Sequence, residues 1–297
     1  MHDINFYHLP LARFTTYGIG GYCLGVIIVK DHFEYIKTLY KLAGKVPYRI
    51  IGKGSNLLIS DDPIDTYVIV SKYRKINIFQ DSEKIKVFVT PFTELQIFIK
   101  FLIDHGISGY EELAGIPATI GGSIFNNAGI KNIEISKYLK KVTLFYRKNK
   151  VIKTLDVDQS FFSYRNSFIK EEVKNKNYID IISAVFEFPK SNIEKKQNLL
   201  NKYIQTWKKR IQTQPIDQKS CGSVFKNLPN IPAWQVISNL GYKGYTIGGA
   251  KVSEKHSNFI VNFNNASFKD VYSIISEIKE KSKKQDINLE EEVEIWK

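Results

Sequence analysis

The fold of this chain is constrained most by an alternation, over about the first 190 residues, of short β-branched runs with segments of helical periodicity. The run Cys23–Val29 is typical of a strand, and residues 31–45 predict a helix opened by the pair Asp31 and Glu34. Further runs rich in Val and Ile predict strands at residues 48–51, 67–70, 86–90, 142–147, 151–157 and 179–188. Because strands alternate with helices, we expect an α/β (α+β) protein.

A long helix is predicted from about residue 193 to about residue 211, with Ser191 and Glu194 as a capping box. Its apolar stripe consists of Leu200, Tyr203, Ile204 and Trp207. The polar segment QTQPIDQKS then breaks the helical pattern at Pro215. We therefore place a domain boundary in this region.

The part of the chain after this boundary predicts a short helix near residues 232–240, a strand within residues 255–263 and a helix capped by Ser267. Val271, Ile274, Ile275 and Ile278 form the core-facing side of that last helix. The terminal segment INLEEEVEIW alternates apolar and acidic residues with period two. It predicts a strand with Leu289, Val293 and Ile295 on one face and Glu290, Glu292 and Glu294 on the other.

Composition excludes several classes of protein. There is no run of about 18 apolar residues, and the N-terminus lacks the apolar core of a signal peptide, so we expect no membrane segment. Two cysteines, Cys23 and Cys221, build neither a disulfide framework nor a CxxC metal site. The formal net charge of +13 favours anionic partners, but the lysines are spread through the chain rather than arranged in a stripe. We expect a cytoplasmic protein that binds no nucleic acid and no metal.

Two glycine-rich loops carry the strongest local signals of ligand binding. The first, IIGKGSNLLISDD, follows a predicted strand, and glycines there let successive backbone N–H groups approach an anion. The second, ELAGIPATIGGSIFNNAG, is dominated by small residues and suits a flat cofactor that carries a diphosphate. Taken alone, the first loop is more often a tight turn, and the second is equally compatible with a buried crossing of packed elements.

Ser223, within SCGSVFK, raises three alternatives: a nucleophile, a proton donor or a turn serine. A nucleophile elbow would read G-x-S-x-G, whereas Phe225 stands two residues after this serine. A nucleophilic serine also needs a general base within hydrogen-bond reach, and the nearest downstream histidine is His256. The spacing is not that of a serine hydrolase, and the residues alone leave the choice open.

Seven segments occur together in an order typical of one enzyme family: TTYGIGG, IIGKGSNLLISD, ELAGIPATIGGSIFNNAG, FSYRNS, SCGSVFKN, GYTIGGAKVSEKHSNFIVN and LEEEV. The chain resembles, over nearly its whole length, the UDP-N-acetylenolpyruvoylglucosamine reductases, flavoenzymes that make UDP-N-acetylmuramate for bacterial peptidoglycan. It is similar to the shorter, type II members, because it lacks the additional tyrosine-bearing loop of the longer ones.

The resemblance implies an FAD-binding fold of the vanillyl-alcohol-oxidase (PCMH) type in two subdomains, at residues 1–72 and 73–205. A C-terminal α/β substrate-binding domain is expected at residues 206–297. The implied cofactors are FAD and NADPH, the implied partner is a UDP-sugar, and we expect a monomer in the bacterial cytoplasm. In the implied reaction NADPH reduces the flavin, which then gives hydride to the terminal methylene of the enolpyruvyl ether while a proton reaches the adjacent carbon.

The resemblance also implies three catalytic residues. Ser223 matches the proton donor of the family, which favours an acid over a nucleophile. Arg165, taken as an arginine on a strand, matches the cation that faces the substrate carboxylate. Glu292 is chosen among its acidic neighbours only by the family pattern L-x-x-E-V, and it is expected to orient the proton donor or stabilise the enol.

Further residues are carried over as binding residues. The FAD-binding candidates are Gly52, Lys53, Gly54, Ser55, Asn56, Pro117, Ala118, Thr119, Gly121, Gly122, Ser123 and Asn127. The substrate-binding candidates are Tyr164, Lys226, Asn227, Tyr245, Lys251 and Lys255. The chain departs from the family pattern at Lys53 and Ala118, where glycine is usual, at Leu228, which interrupts K-N-P, and at Glu294, which replaces an arginine.

Two other functions remain open at this point. One is a different FAD-dependent oxidoreductase of the same superfamily, acting on an alcohol or a sugar. None of the five histidines lies in a glycine loop, which disfavours a covalently tethered flavin. The other is a basic, non-enzymatic nucleic-acid binder, which would lack flavin and would lose affinity steeply with salt.

Overall fold

The computed structural model describes residues 4–80, 82–130 and 133–297. Residues 1–3, with which the first expected subdomain begins, lie outside the described residues. The helices are α1 (His32–Leu42), α2 (Leu95–Asp104), α3 (Ile120–Phe125), α4 (Phe168–Lys174), α5 (Lys196–Thr213), α6 (Ala233–Asn239) and α7 (Phe268–Lys283). The strands are β1 (Cys23–Val29), β2 (Tyr48–Ile51), β3 (Leu57–Ile59), β4 (Ile64–Ser71), β5 (Ile76–Gln80), β6 (Lys84–Val89), β7 (Gly129–Ile130), β8 (Ile133–Glu134), β9 (Leu139–Tyr146), β10 (Val151–Asp156), β11 (Phe162–Ser163), β12 (Asn166–Ser167), β13 (Ile179–Pro189), β14 (Thr246–Ile247), β15 (Ala250–Val252), β16 (Ile260–Asn262) and β17 (Glu294–Trp296).

The chain folds into two compact units. The first unit contains the segment that ends at Phe6, together with Ile27–Lys53 and Tyr67–Lys208. The second unit contains Tyr7–Val26, Gly54–Thr66 and Lys209–Lys297. Two N-terminal segments therefore fold with the C-terminal part of the chain.

The first unit is built around a five-stranded antiparallel sheet with the order β10-β9-β13-β6-β5. Leu95, Phe98, Ile99 and Leu102 of α2 are at most 1% exposed and belong to the same core cluster as Phe186 of β13. Burial of each such side chain stabilises the fold by about 1.5–3 kcal/mol. In the same unit β2 runs parallel to β4, and α1 packs Tyr35, Leu39 and Leu42 into a separate cluster.

A buried ionic network joins β2 to β13 in the first unit. The guanidinium of Arg147 donates to both carboxylate oxygens of Asp180, at 2.9 and 2.6 Å, and to the carbonyl of Tyr48 at 2.8 Å. The Tyr48 hydroxyl donates to Asp180 at 2.6 Å. Each charge is paired in this network, so its burial is compensated.

The second unit contains the small antiparallel sheet β14-β15-β16, the parallel pair β3 and β17, and helices α6 and α7. Ser267 accepts a hydrogen bond from the amide of Asp270, and the Asp270 side chain accepts one from the amide of Ser267. Val271, Ile274, Ile275 and Ile278 are at most 1% exposed. The cap and the core face predicted for this helix are confirmed.

Several predicted elements match the structure, including β1, β2 and α1 with Asp31 as its cap. The capping box predicted at Ser191 is wrong, because Ser191 lies in a 3-10 turn and α5 begins at Lys196. The apolar stripe of this helix is also only partly buried. Leu200 and Tyr203 pack against the core, but Ile204 and Trp207 are exposed.

Candidate functional site

The first glycine loop begins immediately after β2. A Cβ atom at Gly52 would collide with the hydroxyl of Thr119, so the absence of a side chain lets the two glycine loops touch within the first unit. Thr119 caps α3, because its hydroxyl accepts a hydrogen bond from the amide of Gly122 at 3.3 Å. Lys53 forms an exposed ion pair with Glu94 at 2.7 Å, which its side chain can leave at little cost.

The boundary between the two units falls after Lys53, so the rest of this loop belongs to the second unit. Gly54 has φ +64°, and a Cβ there would collide with the carbonyl of Phe14. Ser55 is half-buried. Asn56 donates its side-chain amide to the carbonyl of Glu292 at 3.0 Å, and its own carbonyl accepts from the amide of Glu294 at 2.9 Å. Asn56 therefore holds the segment that carries Glu292, a role that the sequence did not indicate.

The second glycine loop is held by its backbone within the first unit. The carbonyl of Ala118 accepts from the amide of Leu95, and the amides of Ile120 and Gly121 donate to the carbonyls of Thr93 and Pro91, each at 2.8 Å. Pro117 and Gly122 are exposed.

Gln96 clamps the turn that leads into this loop. Its side-chain NH₂ group donates to the carbonyls of Leu113 and Ile116 at 3.1 and 2.9 Å. Its side-chain oxygen accepts from the amide of Gly115 at 2.9 Å and from the hydroxyl of Tyr203 at 3.0 Å. Gln96 could not be identified as a functional residue from the sequence, because nothing in the pattern of α2 distinguishes it from a solvent-exposed helix residue.

Three buried oxygens in this region have no hydrogen-bond partner among the residues that the structure describes. They belong to the Ser123 hydroxyl and to the side-chain carbonyls of Asn127 and Asn166. Ser123 and Asn127 are themselves completely buried. Because an unpaired buried polar group costs about 1–3 kcal/mol, such a cluster indicates a place that a ligand completes.

Arg165 lies in the turn of a short hairpin rather than on a strand. Ser163 of β11 pairs with Asn166 of β12, so Tyr164 and Arg165 form the two-residue connection. Arg165 has φ +55°, an uncommon conformation for a residue with a side chain, and its guanidinium lies 5.1 Å from the ring of Tyr164. Strain of this kind is often found at functional positions.

Two hydrogen bonds tie this hairpin to the end of α3. The hydroxyl of Ser167 donates to the carbonyl of Phe125 at 2.7 Å. The side-chain amide of Asn127 donates to the carbonyl of Ser163 at 3.0 Å. The structure therefore brings Arg165 and Tyr164 together with the FAD-binding candidates of the second glycine loop.

The serine loop lies in the second unit, where Asn258 fixes the residues that follow Ser223. The amide of Val224 donates to the carbonyl of Asn258 at 2.9 Å. The side chain of Asn258 accepts from the amide of Phe225 at 2.9 Å and donates to its carbonyl at 2.8 Å. Asn258 is only 3% exposed, whereas Ser223 is half-buried. Sequence analysis did not single out Asn258.

Glu292 is bonded to the same loop, since its amide donates to the carbonyl of Val224 at 2.8 Å. Its neighbours have other partners: Glu290 pairs with Lys226 and Glu291 with Lys279, each at 2.6 Å. The long terminal strand predicted from the alternation is wrong. Only Glu294–Trp296 forms a strand, because the preceding residues bond to the serine loop instead of a sheet.

The thiol of Cys221, two residues before Ser223, is buried in the core of the second unit. Burial, with a smaller contribution from the charge of Glu292, raises the pKa of Cys221 to about 12. Tyr17 beside it is completely buried and donates its hydroxyl to the carbonyl of Ile260 at 2.8 Å. Thr16 donates to the carbonyl of Ser220 at 2.7 Å. The segment TTYGIGG thus supports the serine loop, a structural role that sequence analysis did not assign.

His256, the nearest histidine downstream of Ser223, packs against an aromatic ring. Its ring lies 4.9 Å from that of Phe259, and its Nδ1 atom is buried with no partner among the described residues. Burial lowers the pKa of His256, so the ring is neutral at pH 7.

The substrate-binding candidates of the second unit lie at or near its surface, and each has a hydrogen-bond or ion-pair partner. Asn227 accepts from the amide of Ala233 at 3.0 Å, and Tyr245 donates to Glu277 at 2.9 Å. Lys251 pairs with Glu254 at 2.5 Å, and Lys255 donates to the carbonyl of Ile211 at 3.1 Å. The partly exposed ion pair of Lys251 contributes little, so this lysine can exchange Glu254 for another anion.

No helix in the described part of the chain is long and apolar enough to cross a membrane. The same residues contain no group of three or more His, Cys, Asp or Glu side chains that could hold a metal ion.

Comparisons with known proteins agree with this architecture. The family model of an FAD binding domain matches residues 24–155. The model of the UDP-N-acetylenolpyruvoylglucosamine reductase C-terminal domain matches residues 214–296. These matches confirm the expected α/β fold class with an FAD-binding fold.

Relatives and one solved structure cover nearly the whole chain. The UDP-N-acetylenolpyruvoylglucosamine reductase of Fervidobacterium nodosum is 36% identical over 296 residues, which are 98% of this chain and 92% of that one. The reductase of Thermotoga maritima is 35% identical over 288 residues, 96% of each chain. The structure of UDP-N-acetylenolpyruvylglucosamine reductase from Thermus caldophilus superposes with a TM-score of 0.81 at 28% identity, covering 99% of this chain and 100% of that one. The chain therefore belongs to the UDP-N-acetylenolpyruvoylglucosamine reductase family of oxidoreductases.

Proposed function

We propose that this chain uses FAD and NADPH to reduce UDP-N-acetylenolpyruvoylglucosamine to UDP-N-acetylmuramate, as a monomer in the bacterial cytoplasm. Support comes from relatives of that name that match the chain from end to end and from the matched FAD-binding domain. One observation of the structure carries the proposal: the second glycine loop buries the oxygens of Ser123 and Asn127 without partners among the described residues.

The residues of the two glycine loops fit FAD. Gly52 and the loop that it touches offer backbone N–H groups and small side chains, and the buried acceptors of Ser123 and Asn127 suit the donors of a flavin or ribityl group. We assign to FAD the residues Gly52, Lys53, Gly54, Ser55, Asn56, Pro117, Ala118, Thr119, Gly121, Gly122, Ser123 and Asn127. Asn56 would act through its backbone, because its side-chain amide already bonds to Glu292.

The bound flavin would supply the hydride for the terminal methylene of the enolpyruvyl group. Ser223 would donate the proton to the adjacent carbon, held by a loop whose next two residues are fixed by Asn258. Glu292 is bonded to that loop through its backbone and would orient or polarise the serine hydroxyl. The guanidinium of Arg165 would bind the substrate carboxylate as negative charge builds on it.

The remaining assignments concern the rest of the substrate. Tyr164 next to Arg165 would contact the substrate. Lys226, Asn227, Tyr245, Lys251 and Lys255 would bind its diphosphate and sugar. We keep the division into residues 1–72, 73–205 and 206–297 as a proposed description of two FAD-binding subdomains and a substrate-binding domain.

The test is an anaerobic visible spectrum of the purified full chain, followed by NADPH and then by UDP-N-acetylenolpyruvoylglucosamine. We expect flavin absorbance that bleaches with NADPH and returns when the enolpyruvyl substrate is added. Bleaching without reoxidation by this substrate would identify a different FAD-dependent oxidoreductase. A folded protein that binds no flavin would contradict the proposal entirely.

A further inference from the structure

Two asparagines near α3 are oriented by carboxylates in the same way. The side-chain amide of Asn127 donates to Glu134 at 2.8 Å, and that of Asn166 donates to Glu171 at 2.8 Å. A carboxylate only accepts hydrogen bonds, so each glutamate fixes which end of its asparagine is the NH₂ group. The carbonyl end of each side chain must then point elsewhere.

Both carbonyl oxygens are buried and have no partner among the described residues. The two asparagines also share a neighbour, because Asn127 donates to the carbonyl of Ser163 and Asn166 pairs with Ser163 across the hairpin. Two oriented acceptors thus flank one residue of the hairpin that carries Arg165. Such a pair is suited to a ligand that brings hydrogen-bond donors.

We infer that Asn166 is a further ligand-binding residue, whose side-chain carbonyl accepts a hydrogen bond from an N–H or O–H group of the flavin or of the UDP-sugar. Glu171 is its positioning residue. This inference deepens the proposed function and rests on it. Sequence analysis treated Asn166 only as part of the motif around Arg165 and did not consider Glu171.

Glu171 lies outside the candidate site and is half-exposed on α4, where it also pairs with Lys174 at 2.7 Å. In the variant Glu171→Lys, the introduced ammonium can only donate, so the Asn166 carbonyl turns toward it and the side chain presents NH₂ to the ligand. The donor group of the ligand then faces the NH₂ group of Asn166 instead of its carbonyl. We expect the Kd for FAD or the KM for the enolpyruvyl substrate to rise about tenfold, with kcat nearly unchanged.

Two further variants separate this role from a merely structural one. Lys174→Met removes the ion pair but keeps the carboxylate that orients Asn166, so both constants should stay within about twofold of the wild type. The double variant Asn166→Asp/Glu171→Lys restores an acceptor toward the ligand, because the introduced aspartate can accept from the introduced lysine with one oxygen and from the ligand with the other. It should recover most of the lost affinity.

The measurements are flavin-fluorescence titration of the apoprotein with FAD and steady-state kinetics of the holoenzyme. A change in the Kd for FAD identifies the flavin as the donor, and a change in KM alone identifies the UDP-sugar. If Glu171→Lys is folded and both constants match the wild type, if the double variant is no better than Glu171→Lys, or if Lys174→Met is equally impaired, the inference is wrong. A wild-type chain that neither binds FAD nor reduces the substrate contradicts the proposed function and the inference together.

Discussion

Around Ser223 in the second unit, the backbone groups of Val224 and Phe225 bond to Asn258, and the amide of Glu292 closes the loop. Around α3 in the first unit, the oxygens of Ser123 and Asn127 are buried without partners among the described residues. The serine loop is thus complete within its own chain, whereas the glycine loop leaves polar groups that a ligand must satisfy. We infer that the serine loop is held in place by its own chain and that the glycine loop around α3 is completed by the cofactor.

The largest effect should come from Ser223→Ala, which removes the proposed proton donor and leaves the backbone bonds of the loop intact. We expect the rate of flavin reoxidation by the enolpyruvyl substrate to fall by about 10²–10⁴-fold, while NADPH still bleaches the flavin. Stopped-flow absorbance of each half-reaction measures both rates. Ser220→Ala in the same loop is the matched control, and equal reoxidation rates in Ser223→Ala and wild type would exclude the proton-donor role.

Asn258→Ala tests whether the serine loop is as tightly held as its hydrogen bonds indicate. This change removes one donor and one acceptor and leaves both buried groups of Phe225 unpaired, so we expect the free energy of unfolding to fall by about 3 kcal/mol. Urea denaturation of the apoprotein measures the loss, with the exposed Asn230→Ala as control. A loss no larger than that of the control would mean that the loop does not depend on this side chain.

Ser123→Ala should have the opposite effect on the apoprotein, which sharpens the comparison. Removal of an unpaired buried hydroxyl should raise the free energy of unfolding by about 1 kcal/mol and weaken FAD binding about tenfold. Ser167→Ala is the matched contrast, since its hydroxyl donates to Phe125 at 2.7 Å and its loss should destabilise the apoprotein. If Ser123→Ala destabilises the apoprotein and leaves FAD affinity unchanged, Ser123 has a structural partner and the comparison fails.

The smallest effect concerns Cys221, whose burial indicates that solvent does not reach this part of the serine loop. Burial raises its pKa to about 12, while an unfolded chain has an ordinary thiol pKa of about 8.5. As pH rises through about 8.5, the unfolded state loses this proton first, so the free energy of unfolding falls until the folded pKa is reached. Between pH 7 and pH 9.5 the free energy of unfolding of the wild type should fall by about 1 kcal/mol more than that of Cys221→Ala. An equal pH dependence in the two proteins would show that the thiol is accessible to solvent.

The elements that sequence analysis predicted well are those whose causes are local. The β-branched run of β1 and the cap and four core residues of α7 depend on neighbours along the chain, and both are confirmed. The stripe on α5 has the same periodicity, but burial of Ile204 and Trp207 would need a partner surface that the pattern does not specify. Periodicity predicts a face and not what covers it.

The candidate site shows the same limit. Ser223 and Arg165 could be named through a family resemblance, but Asn258 acts on a residue 33 positions away and Gln96 on a loop about 20 positions away. Period-two alternation did not distinguish Glu292 from its neighbours, and the ion pairs of Glu290 and Glu291 became visible only in the folded chain. Residues that act through distant backbone groups leave no local signal.

Amide hydrogen exchange of the apoprotein with and without FAD tests the comparison most directly. We predict that FAD slows exchange in peptides covering α3 and the Arg165 hairpin, while peptides containing Val224 and Phe225 exchange slowly in both states and do not change. Unchanged exchange around α3 in the FAD-loaded protein, or a protection that appears mainly in the serine loop, would contradict a glycine loop completed by the cofactor and a serine loop that needs no ligand.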